Sequence, residues 1–132
     1  MPDTKPLILI VDDEPDLLTV LRFGLEAAGF AVAQASDGEQ GLALARQHLP
    51  DLMILDLMLP RMDGYKVCRA LKFDERYKKI PVFILSARSG EQDRKLALEM
   101  GADAFVTKPY DMRALVGRIR QKLGLPPSRA AA

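Results

Sequence analysis

LILIVDD (residues 7–13) and LMILD (residues 52–56) carry the same signal: a short apolar run that ends on carboxylates, Asp12 and Asp13 in the first and Asp56 in the second. Neither run alternates, as expected of strands buried on both faces of a parallel sheet. Phe30 to Ala33, Val82 to Leu85 and Ala104 to Val106 read the same way, which predicts five strands. Helical spacing fills the gaps: Leu17, Leu21, Leu25 and Ala28; Leu42, Ala45 and Leu49; Tyr65, Cys68 and Leu71; Leu96 and Met100; then Met112, Leu115, Val116, Ile119 and Leu123. Gly29, Gly101 and Gly124 stand where helices should stop, and Asp63 and Asp111 where they should start. Strict alternation of strand and helix implies right-handed crossovers, hence an α/β fold with a doubly wound parallel sheet and helices on both faces.

The 132 residues, 48% hydrophobic, amount to one domain with a sizeable core. Lys+Arg 19 against Asp+Glu 18 leaves a net charge of +1, which lacks the basic excess of a dedicated nucleic-acid binder. A single cysteine, Cys68, excludes an internal disulfide framework, and it falls on an apolar helical stripe as a packed thiol. The start MPDTKP has no long apolar segment and no run approaches the ~20 residues of a membrane span, so the expected compartment is cytoplasmic. His48, the one histidine, belongs to a polar helix end and reads as a surface residue. Phe73 to Ile80 reads as a solvated helix end and loop, and residues 125–132 as a loosely ordered tail or truncated linker after a domain spanning 1–124.

In a parallel α/β sheet, ligands gather outside the carboxyl ends of the strands, so Asp12, Asp13 and Asp56 are placed to converge. Three carboxylates held together repel, and a hard divalent cation relieves them. Oxygen donors without a neighbouring His or Cys favour Mg2+ over zinc or copper. The plainer alternative is that one of the adjacent pair merely caps the helix that begins near Pro15. Asp56 opens DLMLPRMDG, where Pro60 and Gly64 force turns and leave the carboxylate on a ledge; beside a cation it is a competent nucleophile toward phosphorus. Ser86 with Ala87 ends the fourth strand and Lys108 with Pro109 the fifth, delivering a hydroxyl and an ammonium to the same edge for phosphoryl oxygens. Each taken alone reads as a helix cap or a solvated lysine.

Taken together, these residues resemble the receiver domain of bacterial two-component response regulators, in the manner of the chemotaxis regulators, over about Leu7 to Leu123. The resemblance implies a flavodoxin-like sheet with strand order 2-1-3-4-5 and five helices. It implies a signalling domain rather than a turnover enzyme, one that catalyses its own phosphotransfer and autodephosphorylation. Asp56 would take a phosphoryl group from the phosphohistidine of a sensor histidine kinase or phosphotransfer protein. Asp13, Asp56 and the backbone carbonyl of Met58 would bind Mg2+, with Asp12 at the metal site acting largely through water, and Ser86 and Lys108 would contact the phosphoryl group. A cis bond between Lys108 and Pro109 is part of the pattern. So is a switch in which Ser86 moves and an aromatic, here Phe105, turns inward; the other reading of Phe105 is a static core residue.

Partners would then read a surface of the fourth helix, fifth strand and fifth helix, whether a separate protein target or a fused output domain, with no nucleic-acid binding by this chain itself. Arg94 and Arg118 resemble the basic members of charge pairs through which DNA-binding relatives dimerise, but Ala104 and Ala114 occupy the acidic positions, so two expected pairs are missing. A monomer and a phosphorylation-dependent dimer both remain open. Met58 and Arg88 flank the entrance to the site, and Thr19, Arg22 and Glu26 are candidates for kinase pairing. Two other classes compete: an aspartyl-nucleophile phosphatase, which wants an acid where Met58 stands, and a nucleotide binder, for which neither GxGxxG nor GxxxxGK[ST] is present.

Overall fold

The computed structural model describes residues 5–87 and 90–127. Its elements alternate without exception: β1 (Leu7–Val11), α1 (Pro15–Ala27), β2 (Ala31–Ala35), α2 (Gly38–His48), β3 (Leu52–Leu55), α3 (Gly64–Lys72), β4 (Val82–Ser86), α4 (Glu91–Glu99), β5 (Ala104–Thr107) and α5 (Met112–Lys122). All pairings are parallel, in the order β2-β1-β3-β4-β5. The apolar runs divide by alternate residues between two cores. Leu9, Val11, Met53, Leu55, Val82 and Ile84 face α2, α3 and α4, whereas Ile8, Ile10, Leu52, Ile54, Phe83 and Leu85 face α1 and α5. A period of two is thus present in every strand, hidden because both faces are covered.

Helix ends follow local chemistry. At the ends of α1, α4 and α5, Gly29, Gly101 and Gly124 adopt positive φ, and the residue after each donates back to the carbonyl five residues earlier, as Phe30 does to Leu25 at 3.1 Å. Only a residue without Cβ takes that turn at no steric cost. Asp63 accepts from the Lys66 amide and Asp111 from those of Arg113 and Ala114, and Asp37, which composition did not single out, caps α2 through Gln40.

Several boundaries and stripes differ from expectation. The second strand runs Ala31–Ala35, not Phe30 to Ala33, because the Phe30 amide is tied to the end of α1 while its ring fills the core; the polar Gln34 is admitted because β2 lies at the sheet edge. In α4 the buried residue is Ala97, with Leu96 and Met100 only half-buried. Leu49 turns out to solvent at the left-handed end of α2. Beyond α5, Leu125 packs against the α1 and α5 core. No helix among the described residues is long and apolar enough to cross a membrane.

A candidate functional site at the carboxyl ends of the strands

The first residue past β1 and the first past β3 are both aspartates, and both continue the ladder: the Asp12 amide donates to Ala35 and the Asp56 amide to Val11. Backbone pairing therefore fixes where each carboxylate emerges. Asp12 is 2% exposed and Asp56 5%, while Asp13 next to them is open to solvent. One carboxylate oxygen from each of the three lies within 4.8 Å of the others.

The ledge under Asp56 is made by close approach. A Cβ on Gly64 would stand 2.3 Å from the Asp56 carbonyl oxygen and 2.8 Å from the Leu57 Cα, so only glycine fits there, and its amide donates to Leu57. The sequence reading gave Gly64 to a turn; what it supplies is space. The Met58 amide donates to Asp56 Oδ1 at 3.2 Å, which brings the Met58 backbone beside that carboxylate while its side chain stays 59% exposed.

Lys108 reaches the acids from the opposite end of the chain. Its ammonium lies 3.0 Å from Asp12, 3.3 Å from Asp56 and 3.4 Å from Glu14. Burial alone would lower its pKa, but the hydrogen bond to Asp12 and the charges of Asp56 and Asp12 hold the ammonium above its ordinary value. Asp56 is shifted up, first by burial and then by the neighbouring charge of Asp12, with Lys108 and the Met58 amide opposing. The Lys108 amide donates to the Ser86 carbonyl at 2.8 Å, and the bond from Lys108 to Pro109 is cis.

Ser86, wholly buried, closes β4 at the same sheet edge. Phe105 is 3% exposed, with the Arg94 guanidinium 5.1 Å from its ring centroid; Arg118 lies over Phe83 instead. Arg88 lies outside the described residues.

Two contributors escaped the sequence reading. Glu14 occupies the N-cap of α1, yet its side chain makes no cap bond and turns to Lys108; the amide of Glu14 is satisfied by Asp12. Neither aspartate of the adjacent pair is the N-cap of α1: Asp12 holds the amide of the N-cap residue Glu14 and also faces the cluster. A carboxylate two residues past a strand-end acid was the available signal for Glu14. Tyr110 buries its hydroxyl with no hydrogen-bond partner among the described residues, and burial raises its pKa. Composition gives no hint of that.

The response regulator receiver domain family matches residues 8–120. The DNA-binding dual master transcriptional regulator RpaA of Synechocystis sp. is 47% identical over 118 residues, 89% of this chain and 49% of that protein. The alkaline phosphatase synthesis transcriptional regulatory protein PhoP of Bacillus subtilis is 42% identical over 86% of this chain and 46% of its own length. The chain therefore spans about half the length of the curated relatives it matches. Among solved structures, a putative response regulator from Chloroflexus aurantiacus J-10-fl superimposes with a TM-score of 0.86 at 33% identity, covering 91% of this chain and 99% of that one. A CheY-like receiver domain protein from Methanospirillum hungatei JF-1 gives 0.85 at 28% identity, with 91% and 94% covered.

Proposed function

The chain belongs to the response regulator receiver domain family, and from that premise we propose that Asp56 accepts a phosphoryl group from the phosphohistidine of a sensor histidine kinase or phosphotransfer protein. The observation that carries this reading is the ammonium of Lys108 shared by Asp12 and Asp56. It marks the place where a cation is already needed and where new negative charge would be met. Residues 1–124 act as the phosphoacceptor unit.

The donor set fits Mg2+: three carboxylates within mutual reach, two of them buried, and no nitrogen or sulfur ligand among them. Asp12, Asp13, Asp56 and the backbone carbonyl of Met58 would hold it. When bound, the ion supplies positive charge for phosphoryl oxygens and for the acceptor carboxylate. The chain's own residues do the rest. An Asp56 oxygen attacks phosphorus as the bond from phosphorus to imidazole nitrogen breaks, and the imidazole leaves with its electron pair and takes up a proton. Lys108 turns from carboxylate to phosphoryl oxygen, and Ser86 offers a hydroxyl from the neighbouring strand end. The product adds ~1.5 to 2 negative charges at a buried position, enough to bias the arrangement of α4, β5 and α5 that partners read. This reading puts the domain in the cytoplasm, serving a protein target or a fused output domain.

Incubation with Mg2+ and acetyl phosphate, followed by intact mass, tests it. The expected result is one added phosphoryl on the native chain and none on Asp56→Asn. Equal labelling of both would move the acceptor elsewhere and end the proposal.

A further inference from the structure

Helix α4 is thinly held. Ala97 is its one buried residue, Leu98 is 52% exposed, and the N-cap Gly90 offers no side-chain bond; α1, α2, α3 and α5 each bury three or four residues. Elements with so little buried apolar surface open and shift most readily. Two consecutive residues of its first turns tie α4 to its neighbours on either side. Asp93 faces α3, where the Tyr65 hydroxyl lies 3.3 Å from its Oδ1 and 3.4 Å from its carbonyl oxygen. Arg94 faces β5, with its guanidinium over the Phe105 ring.

Both attachments lead back to the site. Tyr65 follows Gly64, whose backbone abuts the Asp56 carbonyl, so the tyrosine is seated on the acceptor's own ledge. Phe105 lies on the strand that delivers Lys108. Phe105 is buried while Lys108 rests on the carboxylates.

We propose that the Tyr65 hydroxyl with Asp93, braced by Arg94 on Phe105, is a latch that holds α4 in its resting seat and so regulates how readily Asp56 takes up a phosphoryl group. The inference rests on Asp56 being the acceptor. Tyr65 acts as a positioning residue: its hydroxyl favours one of two seats, and a group that binds the other seat better must first release it.

Tyr65→Phe removes the hydroxyl and keeps the ring, so the native packing is retained. Losing a hydrogen bond of this strength alters an opening equilibrium roughly 2- to 12-fold. In the full chain we expect amide hydrogen exchange over α4 to rise by that factor with α1 and α5 unchanged, and labelling by acetyl phosphate and Mg2+ to quicken alongside. In a double-mutant cycle with Asp93→Ala, the combined effect on α4 exchange should fall short of the product of the separate effects. Unchanged α4 exchange, a uniform rise across all helices, or effects that simply multiply would each overturn the latch. Absence of label on the native Asp56 would instead overturn the acceptor assignment, which the exchange data do not touch.

Discussion

Replacing Lys108 with methionine keeps an unbranched side chain one atom shorter and removes its charge, leaving Asp12 and Asp56 buried with no cation between them. Their oxygens lie within 4.8 Å, where two like charges repel by about 3 kcal/mol at an effective dielectric of about 20. A ceiling follows from titration: Asp56, already shifted up, can escape by protonating, which at pH 7 costs at most about 4 kcal/mol from an ordinary carboxylate value. Lys108→Met should therefore destabilise the metal-free protein by about 3 kcal/mol, or roughly 10 °C in Tm for a domain of this size. Thermal melts in EDTA and in millimolar Mg2+ read the effect directly. The variant should recover more stability from Mg2+ than the native chain does, because the ion no longer competes with an ammonium. Acidification should also help it. A raised carboxyl pKa means the folded state binds the extra proton, so the deficit shrinks to about 2 kcal/mol at pH 5.5. A variant melting within about 3 °C of the native protein in EDTA at pH 7 would show that the ammonium is not what neutralises the cluster.

Two further outcomes test other parts of the fold. Burial would raise Asp103, but hydrogen bonds from Lys72, the Val82 amide and Lys122 outweigh it and hold the carboxyl below its ordinary value of 3.8. A depressed folded pKa stabilises above the unfolded value and is lost as pH falls through the folded one. Asp103→Asn should accordingly cost about 2 kcal/mol at pH 7, with the deficit fading below the carboxylate range; urea melts that show an equal deficit at pH 7 and pH 3 would contradict this. Burial pushes the Cys68 thiol up to about 11, and its sulfur faces the Met100 carbonyl. Native alkylation by iodoacetamide at pH 8 should be at least ~100-fold slower than in urea, and comparable rates would show the thiol is not shut in.

Local signals were strong wherever one residue's chemistry acts on its own neighbours. The glycines at positions 29, 101 and 124 mark three helix ends because only they take the left-handed turn there, and Asp63 and Asp111 mark two starts because a carboxylate satisfies amides two or three residues ahead. The five apolar runs are strands, and their lack of alternation correctly announces a sheet covered on both faces. Errors fell where a neighbour in space decides. Phe30 belongs to a helix end rather than a strand, Leu49 is expelled at a left-handed cap, and Ala97 rather than Leu96 or Met100 anchors α4.

The sequence by itself determined the kind of chain this is, since strand-end acids, a strand-end serine and a strand-end lysine repeat a pattern that a parallel sheet must bring to one edge. What only the tertiary structure decided is which of those groups share a charge. Lys108 and Asp12 stand 96 residues apart and meet at 3.0 Å because β5 and β1 emerge on the same side of the sheet. Glu14 joins them from an N-cap position that local rules would give to the helix. Tyr65 and Asp93, 28 residues apart, meet because α3 and α4 lie on one face. Hydrogen bonds and ion pairs across such distances depend on sub-ångström placement of side chains by two packed cores, and no periodicity along the chain encodes that placement.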